Sequence, residues 1–484
     1  MYYKLVRIIL FAALVSAHSF VLNAKETLPL RLFSPEKEAA ALPKAVDNSV
    51  SPYFPPIIDQ RGNSCAQASG IGYLYTYEVN RLLNRNASDS PDNRFAYQYS
   101  WNMVNGGNNE GGFVDEGLTL ALRYGIMTES DYGTSSTYQF RWASGFDKYL
   151  RAMQYRSREI LTFEGSVDLM KRWLYDAGDG SAHGGILTFS GTSTGWKIDN
   201  DYQGPSETGY HSLLTSLATS GSHAMTIAGY DDTVTYTDNS GTVHEGAFIV
   251  VNTWGSYSHD KGRYYLPYDF FRDSTVPNSV LSDNVVALRV QNYSPLVVLK
   301  VKLDYTSRND LRFGMGCSED KKANRPKQFS YSYAFNHQGG DYPMQGSGES
   351  SVIEIALDLT EALADRSANY PVYFLNIVRS MVGKSKGEGR LLSLSVIDYR
   401  SGEPVEMECS ESLPVQLEDG DNIFAIRAAD LLKTTASPIS YLDDLGNVVP
   451  RAYEIIDAEG QTHTISFSNR DAKNNTITIR HEKE

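Results

Sequence analysis

The sequence is poor in cysteine and in positive charge. It has 3 cysteines among 484 residues, and its 58 acidic and 44 basic side chains leave a net charge of −14. This charge argues against nucleic acid as a partner, because a surface that binds nucleic acid needs an excess of positive charge. In an exported protein, the odd number of cysteines also leaves one thiol over even if the other two are bridged.

Motifs for metal and phosphate binding are missing as well. The histidines show none of the paired spacings that zinc sites use, and no glycine loop followed by lysine is present to hold phosphate. We therefore expect no metal and no other cofactor. Seven histidines are expected to be surface or packed imidazoles: His183, His211, His244, His259, His337, His463 and His481.

The N-terminal segment has the layout of a cleaved secretory signal. Lys4 and Arg7 precede the apolar run of residues 8–15, and small residues follow, so we expect cleavage after Ala17 or Ala24. The run is too short for a firm membrane span. No cysteine lies near its end, so the sequence does not indicate a bacterial lipid anchor. The segment predicts secretion, either extracellular or periplasmic.

Three separate windows supply the residue types of a thiol-based catalytic set. They read DQRGNSCAQAS, SHAMTIAGY and VNTWG, and they contain Cys65, His223 and Asn252, respectively. A free thiol has a pKa of about 8.5, so it needs a protonated imidazole beside it to become a thiolate nucleophile at neutral pH. The imidazole later donates its proton to the leaving amine, and the carboxamide oxygen holds the other ring nitrogen.

In this chain order the three windows resemble the catalytic set of papain-like cysteine proteases. The resemblance implies an α+β, two-lobed peptidase domain over residues 51–292, with a helical lobe and a β-rich lobe. It also implies hydrolysis of peptide bonds in a peptide or protein substrate, through a thioester acyl-enzyme, with Cys65, His223 and Asn252 as the catalytic residues. Residues 1–24 and 25–50 would then be the signal peptide and a short N-terminal segment.

Two further parts of the expected site follow from the same resemblance. Gln60 lies just upstream of Cys65, where its side-chain amide would join the Cys65 backbone N–H as an oxyanion hole. The window NEGGFV looks like the family's glycine-rich segment, whose backbone pairs with an extended substrate. The expected substrate-binding residues are Gly111, Gly112, Phe113 and Trp254.

The flanking patterns predict how these residues are positioned. Apolar residues at helical spacing predict a helix over residues 66–83, which places Cys65 at a helix N-terminus whose dipole favours the thiolate. Buried strands are predicted over residues 224–230 and 247–251, the second delivering Asn252 at its end. Two neighbouring strands of one sheet would bring His223 and Asn252 together.

Departures from the family's pattern keep two alternatives open. Gln60 precedes Cys65 by five residues, one fewer than is usual, and Ala66 replaces the aromatic residue that normally follows the nucleophile. The stretch before His223 is longer than usual, and residues 191–221 are a candidate insertion that either caps the cleft or forms a plain surface loop. One alternative is therefore an inactive relative that only binds peptides. The other is an adhesin or surface-binding protein in which the C-terminal region is the functional part.

The C-terminal region, residues 293–484, is predicted to be an all-β sandwich, or two small ones. Strand-like runs dominate it, at residues 297–303, 329–335, 352–357, 391–397, 423–427 and 462–467. We expect a stabilising or protein-docking module, with surface or glycan contact as the alternative. Cys317 and Cys409 are either bridged or free buried thiols. The whole chain is expected to be a monomer.

Overall fold

The computed structural model divides the chain into two compact units. Side chains are described for residues 30–37, 41–134, 140–216, 220–271, 285–368 and 370–427, and backbone alone for 272, 439–442, 448–456, 462–471 and 476–482. The first unit comprises Met1–Ala143 and Lys148–Ser294, and the second comprises Ser144–Asp147 and Pro295–Glu484. The expected signal segment lies outside the described residues. Over the described ranges, none of the helices is both long and apolar enough to cross a membrane.

The helices are short, and most of them come before the strands next to His223 and Asn252 in the chain. They are α1 (Cys65–Gln67), α2 (Thr76–Leu83), α3 (Tyr97–Val104), α4 (Val114–Tyr124), α5 (Glu129–Tyr132), α6 (Phe146–Ala152), α7 (Val167–Asp176) and α8 (Asp269–Arg272). Side-chain caps begin two of them. Thr128 accepts the N–H of Asp131 at the start of α5, and Ser166 accepts that of Leu169 at the start of α7.

A single helical segment runs from Cys65 to Leu83, as the apolar spacing predicts. Its middle part, Ala68–Tyr75, is wound as a π-helix between α1 and α2, and the side chains of this part are buried. The segment ends at Asn84, whose left-handed backbone (φ 49°) turns the chain away. π-Helical turns within longer helices occur frequently at functional sites.

Ten described strands form one mixed sheet in the first unit. They are β1 (Leu30–Leu32), β2 (Ala45–Asp47), β3 (Tyr155–Thr162), β4 (Leu187–Gly191), β5 (Lys197–Asp199), β6 (Leu213–Ser216), β7 (His223–Thr237), β8 (Val243–Val251), β9 (Arg263–Pro267) and β10 (Val286–Asn292). Their order is β1-β3-β10-β4-β7-β8-β9-β6-β5, and β2 pairs with β7. The pairs β1–β3 and β6–β9 are parallel and the others are antiparallel. The unit therefore has a sheet-rich α/β body.

The register of β7 and β8 places two sequence windows at the same end of the sheet. Thr226 pairs with Val251 in this antiparallel pair, so the start of β7 lies beside the end of β8. His223 is the first residue of β7, and Asn252 follows the last residue of β8. Gly191, at the end of β4, pairs with His223 on the other side.

A hydroxyl group ties the long helical segment to the start of β7. Ser69, one helical turn after Cys65, is fully buried and donates its Oγ–H to the carbonyl oxygen of Ala224 at 2.9 Å. In the same contact, Thr188 of β4 donates to the Ser69 carbonyl oxygen at 3.2 Å. Cys65 and His223 are thus carried by elements that are in direct contact.

Removing this hydroxyl should loosen the contact between the helix and the sheet. We expect Ser69→Ala to lower the free energy of unfolding by about 1–3 kcal/mol, because the Ala224 carbonyl oxygen would lose a buried partner. The measurement is urea unfolding. Ser100→Ala is the matched control, since Ser100 is equally buried but bonds only to the Tyr97 carbonyl oxygen of its own helix. Equal losses in both variants would contradict a special role for the Ser69 contact.

The described strands of the second unit form antiparallel sheets. The strands are β11 (Val297–Tyr305), β12 (Leu311–Ser318), β13 (Ser330–Asn336), β14 (Val352–Asp358), β15 (Val372–Arg379), β16 (Gly389–Asp398), β17 (Val405–Glu408), β18 (Val415–Gln416), β19 (Gly420–Arg427), β20 (Ile439–Leu442), β21 (Val448–Ile456), β22 (Thr462–Asp471) and β23 (Thr476–Glu482). One sheet has the order β14-β11-β16-β17 with β18 beside β16. The others have the orders β13-β12-β15-β19 and β20-β21-β22-β23. Each strand-like run of the sequence analysis overlaps one of these strands, which confirms those strand predictions.

Cys317 and Cys409 are both free thiols in the structure. The Cys317 thiol faces the Ala362 carbonyl oxygen and the Cys409 thiol faces that of Ala425, each at 3.6 Å. Burial raises the pKa of Cys317 to about 11 and also raises the pKa of Cys409. Of the two alternatives left open by the sequence, the structure therefore has the free thiols, although both side chains are half-buried rather than buried.

Thiol titration checks this directly. We expect three reactive thiols per chain when the purified protein is denatured without reductant, because Cys65, Cys317 and Cys409 are all free in the structure. The protein should be kept under nitrogen during purification so that oxidation after lysis does not lower the count. A single thiol would contradict the structure and indicate a bridge between the two cysteines of the second unit.

Candidate active site

Cys65 stands at the start of the long helical segment, immediately after a tight turn. Gly62 in that turn has a φ of +56°, and a Cβ there would lie 2.2 Å from Asn109 Oδ1, so only glycine fits. Ser64 closes the turn by donating its hydroxyl hydrogen to the Arg61 carbonyl oxygen at 2.7 Å. The first N–H groups of a helix have no partner within it, so those beside Cys65 are available to an anion.

The glycine-rich segment lies alongside this turn. Asn63 donates its backbone N–H to Asn109 Oδ1 at 3.1 Å and its side-chain Nδ2–H to the Asn109 carbonyl oxygen at 2.7 Å. A Cβ on Gly111 would be 3.4 Å from the Asn63 carbonyl oxygen. Phe113 follows with 72% of its surface exposed, although it is a large apolar side chain. The segment proposed to bind substrate therefore flanks the turn before Cys65.

His223 and Asn252 are joined by a hydrogen bond whose direction the surroundings determine. His223 Nε2 lies 2.8 Å from Asn252 Oδ1, and the Thr253 N–H lies 2.7 Å from the same atom. A backbone N–H can only donate, so the atom that it faces must be the amide oxygen. His223 must then carry a proton on Nε2, and its Nδ1 remains for chemistry.

An indole ring covers this pair. Trp254 stacks on His223 with ring centroids 4.6 Å apart and an interplanar angle of 23°. Trp196, from the candidate insertion, packs edge-on against both rings, at 6.3 Å from His223 and 5.7 Å from Trp254. Burial lowers the pKa of His223, and the hydrogen bond to Asn252 opposes that shift. Burial therefore disfavours an imidazolium at this position.

The chain before Cys65 pairs with the loop that carries Asn252. Gln60 donates its backbone N–H to the Thr253 carbonyl oxygen at 2.8 Å, and Gly255 donates to that of Ile58 at 2.9 Å. Tyr73, from the π-helical part, donates its hydroxyl hydrogen to the Asn252 carbonyl oxygen at 3.0 Å. These contacts place the turn before Cys65 next to the loop after β8.

The Gln60 side chain is held between the same two segments. Its Nε2 donates to the Gly62 carbonyl oxygen at 2.9 Å, and its Oε1 accepts the Thr253 hydroxyl hydrogen at 2.5 Å. An amide nitrogen carries two hydrogens, and the Gly62 contact uses one of them. Ala66, the residue after Cys65, is 3% exposed and is therefore packed.

Two residues that the sequence analysis set aside contact this group. His259 was expected to be a surface or packed imidazole, but its Nε2 lies 3.1 Å from Asn252 Nδ2. Trp196 lies in residues 191–221, which the sequence analysis identified only as a candidate insertion. The one available signal for His259 was its place in the short loop between β8 and β9, seven residues after Asn252.

Over the ranges whose side chains are described, no group of three or more His, Cys, Asp or Glu residues is placed to hold a metal ion. Cys65, His223 and Asn252 instead combine a thiol, a ring nitrogen and an amide oxygen. These are the groups for nucleophilic attack with proton transfer.

Comparisons with known proteins find similarity at the level of solved structures. No protein-family model and no curated protein matches the chain. Xylellain, a cysteine protease from Xylella fastidiosa, is 20% identical, with a TM-score of 0.37 over 54% of this chain and 91% of its own. Digestive procathepsin L 3 of Tenebrio molitor is 16% identical, with a TM-score of 0.36 over 54% and 74%, respectively. The bromelain protease from Ananas comosus is 14% identical, with a TM-score of 0.33 over 51% and 99%.

These neighbours are papain-like cysteine proteases, and the similarity to them is low and covers about half of this chain. Assignment of chemistry therefore depends on the residues of this chain.

The ionisation of His259 should appear in the pH dependence of stability. Burial, followed by the charge of His223, lowers the pKa of His259 from 6.5 to about 4. Between these values the unfolded chain binds a proton that the folded chain does not. The contribution of His259 to the free energy of unfolding is therefore complete above pH 6.5 and is lost as the pH falls towards 4. We expect His259→Gln to flatten that part of the profile in urea unfolding, and an unchanged slope would contradict the assignment.

Proposed function

We propose that this chain is a papain-like cysteine peptidase that hydrolyses peptide bonds through Cys65, His223 and Asn252. The observation that supports this most strongly is the 2.8 Å hydrogen bond from His223 Nε2 to Asn252 Oδ1 beneath Trp254. It leaves His223 Nδ1 as the nitrogen for proton transfer. The helix that begins at Cys65 is bonded through Ser69 to the residue after His223, so the thiol is carried to the same end of the sheet.

In the proposed reaction, the Cys65 thiolate attacks the carbonyl carbon of the scissile peptide bond. The protonated Nδ1 of His223 gives its proton to the leaving amine as the C–N bond breaks, which leaves a thioester on Cys65. A water molecule then gives a proton to His223 and adds to the thioester carbonyl carbon. The C–S bond breaks, the carboxylic acid leaves, and the thiolate–imidazolium pair is restored.

The anion that stabilises imidazolium is the thiolate itself. Burial lowers the pKa of His223, so the ring would be mostly neutral at neutral pH without a negative charge beside it. A thiolate near Nδ1 reverses this preference, and Asn252 Oδ1 stabilises the positive ring from the other side. Each group therefore depends on the other for its charge, as a thiolate–imidazolium pair requires.

Gln60 is proposed to complete the oxyanion hole with the Cys65 backbone N–H. One hydrogen on its Nε2 is used by Gly62, which leaves the second for the oxygen of the tetrahedral intermediate. A donor of this kind typically contributes about 10²- to 10³-fold in rate.

The substrate is proposed to extend along Gly111 and Gly112, with Phe113 and Trp254 contacting its side chains. The reason is that the segment with Gly111 and Gly112 flanks the turn before Cys65.

The remaining parts of the proposal concern the whole chain. The helical segments up to α5 and the ten-stranded sheet would form the two lobes of the peptidase domain. In the second unit, the sheets that contain β11 and β12 would pack face to face as a sandwich that serves as a stabilising or docking module, with surface or glycan contact as the alternative. The protein would be secreted after loss of residues 1–24 and act as a monomer.

Replacement of the thiol tests the proposal. We expect Cys65→Ala to lower hydrolysis of a denatured protein substrate by about 10⁴-fold or more, because no other group can form the acyl-enzyme. An epoxysuccinyl inhibitor should add one adduct to the wild-type protein, read by intact mass, and none to the variant. Thermal unfolding should show that the variant keeps its fold.

The chain offers matched controls in its two other thiols. Cys317→Ala and Cys409→Ala should keep both hydrolysis and the single adduct, because these thiols are half-buried and their pKa values are raised. Hydrolysis retained by Cys65→Ala would exclude the proposed mechanism. A wild-type protein that neither cleaves nor takes the label would instead favour an inactive peptide-binding relative.

A further inference from the structure

The carboxamide of Asn252 has a partner at both of its ends. Its Oδ1 accepts from His223 Nε2 at 2.8 Å and from the Thr253 N–H at 2.7 Å. Its Nδ2 lies 3.1 Å from Nε2 of His259. Because the Thr253 N–H is an obligate donor, the oxygen and nitrogen of the amide cannot be exchanged without placing two donors against each other.

This network also determines the protonation of His259. Asn252 Nδ2 is a donor only, so His259 Nε2 must accept, and the ring must be neutral with its proton on Nδ1. A protonated His259 would present a donor to Asn252 and favour the reversed amide. The state of His259 is therefore coupled through one amide to the tautomer of His223.

The surroundings of His259 favour the neutral ring. Its ring centroid lies 5.2 Å from Tyr264, 6.4 Å from Trp196 and 6.4 Å from Trp254. Burial among these rings and the charge of His223 lower its pKa to about 4. The imidazole is thus an uncharged acceptor at neutral pH.

Charged residues close to His259 in the chain have other partners. Asp260 accepts the His211 N–H at 2.9 Å. Arg263 donates to the Ser49 hydroxyl at 2.7 Å and to the Lys261 carbonyl oxygen at 2.9 Å. Lys261 itself is exposed. On β7, the titratable group that faces His259 is His223, and on β9 it is the buried Tyr264, whose pKa is raised by burial.

The backbone at His259 is in a conformation that favours glycine. Its φ is +53°, in the left-handed region, which costs roughly 1–2 kcal/mol for a residue with a side chain. Glycine occupies the left-handed positions 255 and 262, whereas His259 and Lys261 (φ +52°) carry side chains at theirs. The imidazole of His259 is therefore present at a position where the backbone conformation alone would favour glycine.

We propose that His259 is a positioning residue of the peptidase site, which accepts the Asn252 Nδ2–H and so keeps Oδ1 directed at His223. The inference depends on the proposed function, since it adds a fourth member behind the Cys65, His223 and Asn252 set. His259 does not touch the substrate or the reacting atoms. It acts by stabilising the amide orientation in which His223 presents Nδ1 to the thiol.

The test compares two variants that differ in one hydrogen-bond acceptor. His259→Phe keeps a planar ring among Trp196, Trp254 and Tyr264 but cannot accept, which leaves the Asn252 Nδ2–H unpaired. His259→Gln restores an acceptor oxygen. We expect His259→Phe to lower kcat by about 10- to 100-fold with KM within about twofold, the size known for loss of outer-shell groups that orient metal ligands. His259→Gln should recover most of the loss.

A second readout follows the charge on Cys65. Thiolate absorbance in the ultraviolet, measured against pH in the full-length protein, should show a higher thiol pKa in His259→Phe and a value close to wild type in His259→Gln. A merely structural role for His259 would not move this titration while the fold is intact, so circular dichroism and thermal unfolding are recorded for each variant.

The outcomes separate this inference from the proposed function. If wild-type protein cleaves peptides and is labelled at Cys65, but His259→Phe has wild-type kcat and an unchanged thiol pKa, the positioning role is overturned. Equal losses in the Phe and Gln variants would also overturn it, because the acceptor would then not matter. If the wild-type protein neither cleaves nor is labelled, the proposed function fails first.

Discussion

The hydrogen bond between His223 and Asn252 is the contact on which the rest of the site depends. It forms because β7 begins where β8 ends, so two segments separated in sequence meet at one end of the sheet. The Thr253 N–H fixes which end of the amide faces the ring, and Trp254 covers the pair from solvent. Without this arrangement, His223 would be a buried imidazole with no defined tautomer.

The segment around Cys65 is joined to that end of the sheet by several independent hydrogen bonds. Ser69 holds the helix to Ala224, while Gln60 and Ile58 pair with the loop after β8. Each bond is worth about 1 kcal/mol net. Together they hold segments that are more than 150 residues apart in the sequence. The site is therefore part of the core of the first unit, and its geometry is coupled to the stability of that unit.

Much of the local structure could be predicted from residue patterns. The helical spacing after Cys65 and the apolar runs around residues 224–230 and 247–251 correspond to the observed helix and strands. These patterns are predictive because alternation and helical periodicity depend on neighbours within a few residues. The π-helical turn at Ala68–Tyr75 was not predicted in this way, and its Ser69 bonds to β4 and β7, which lie more than 100 residues further along the chain.

The sequence alone determined the residue types and their order, because a thiol, an imidazole and a carboxamide in that order define the chemistry that is available. Tertiary structure decided which ring nitrogen of His223 carries the proton, because that follows from the Thr253 N–H and the Asn252 amide. It also brought His259 and Trp196 to the site and left Cys317 and Cys409 apart as free thiols. These features depend on contacts between distant segments, and no local pattern of residues encodes such contacts.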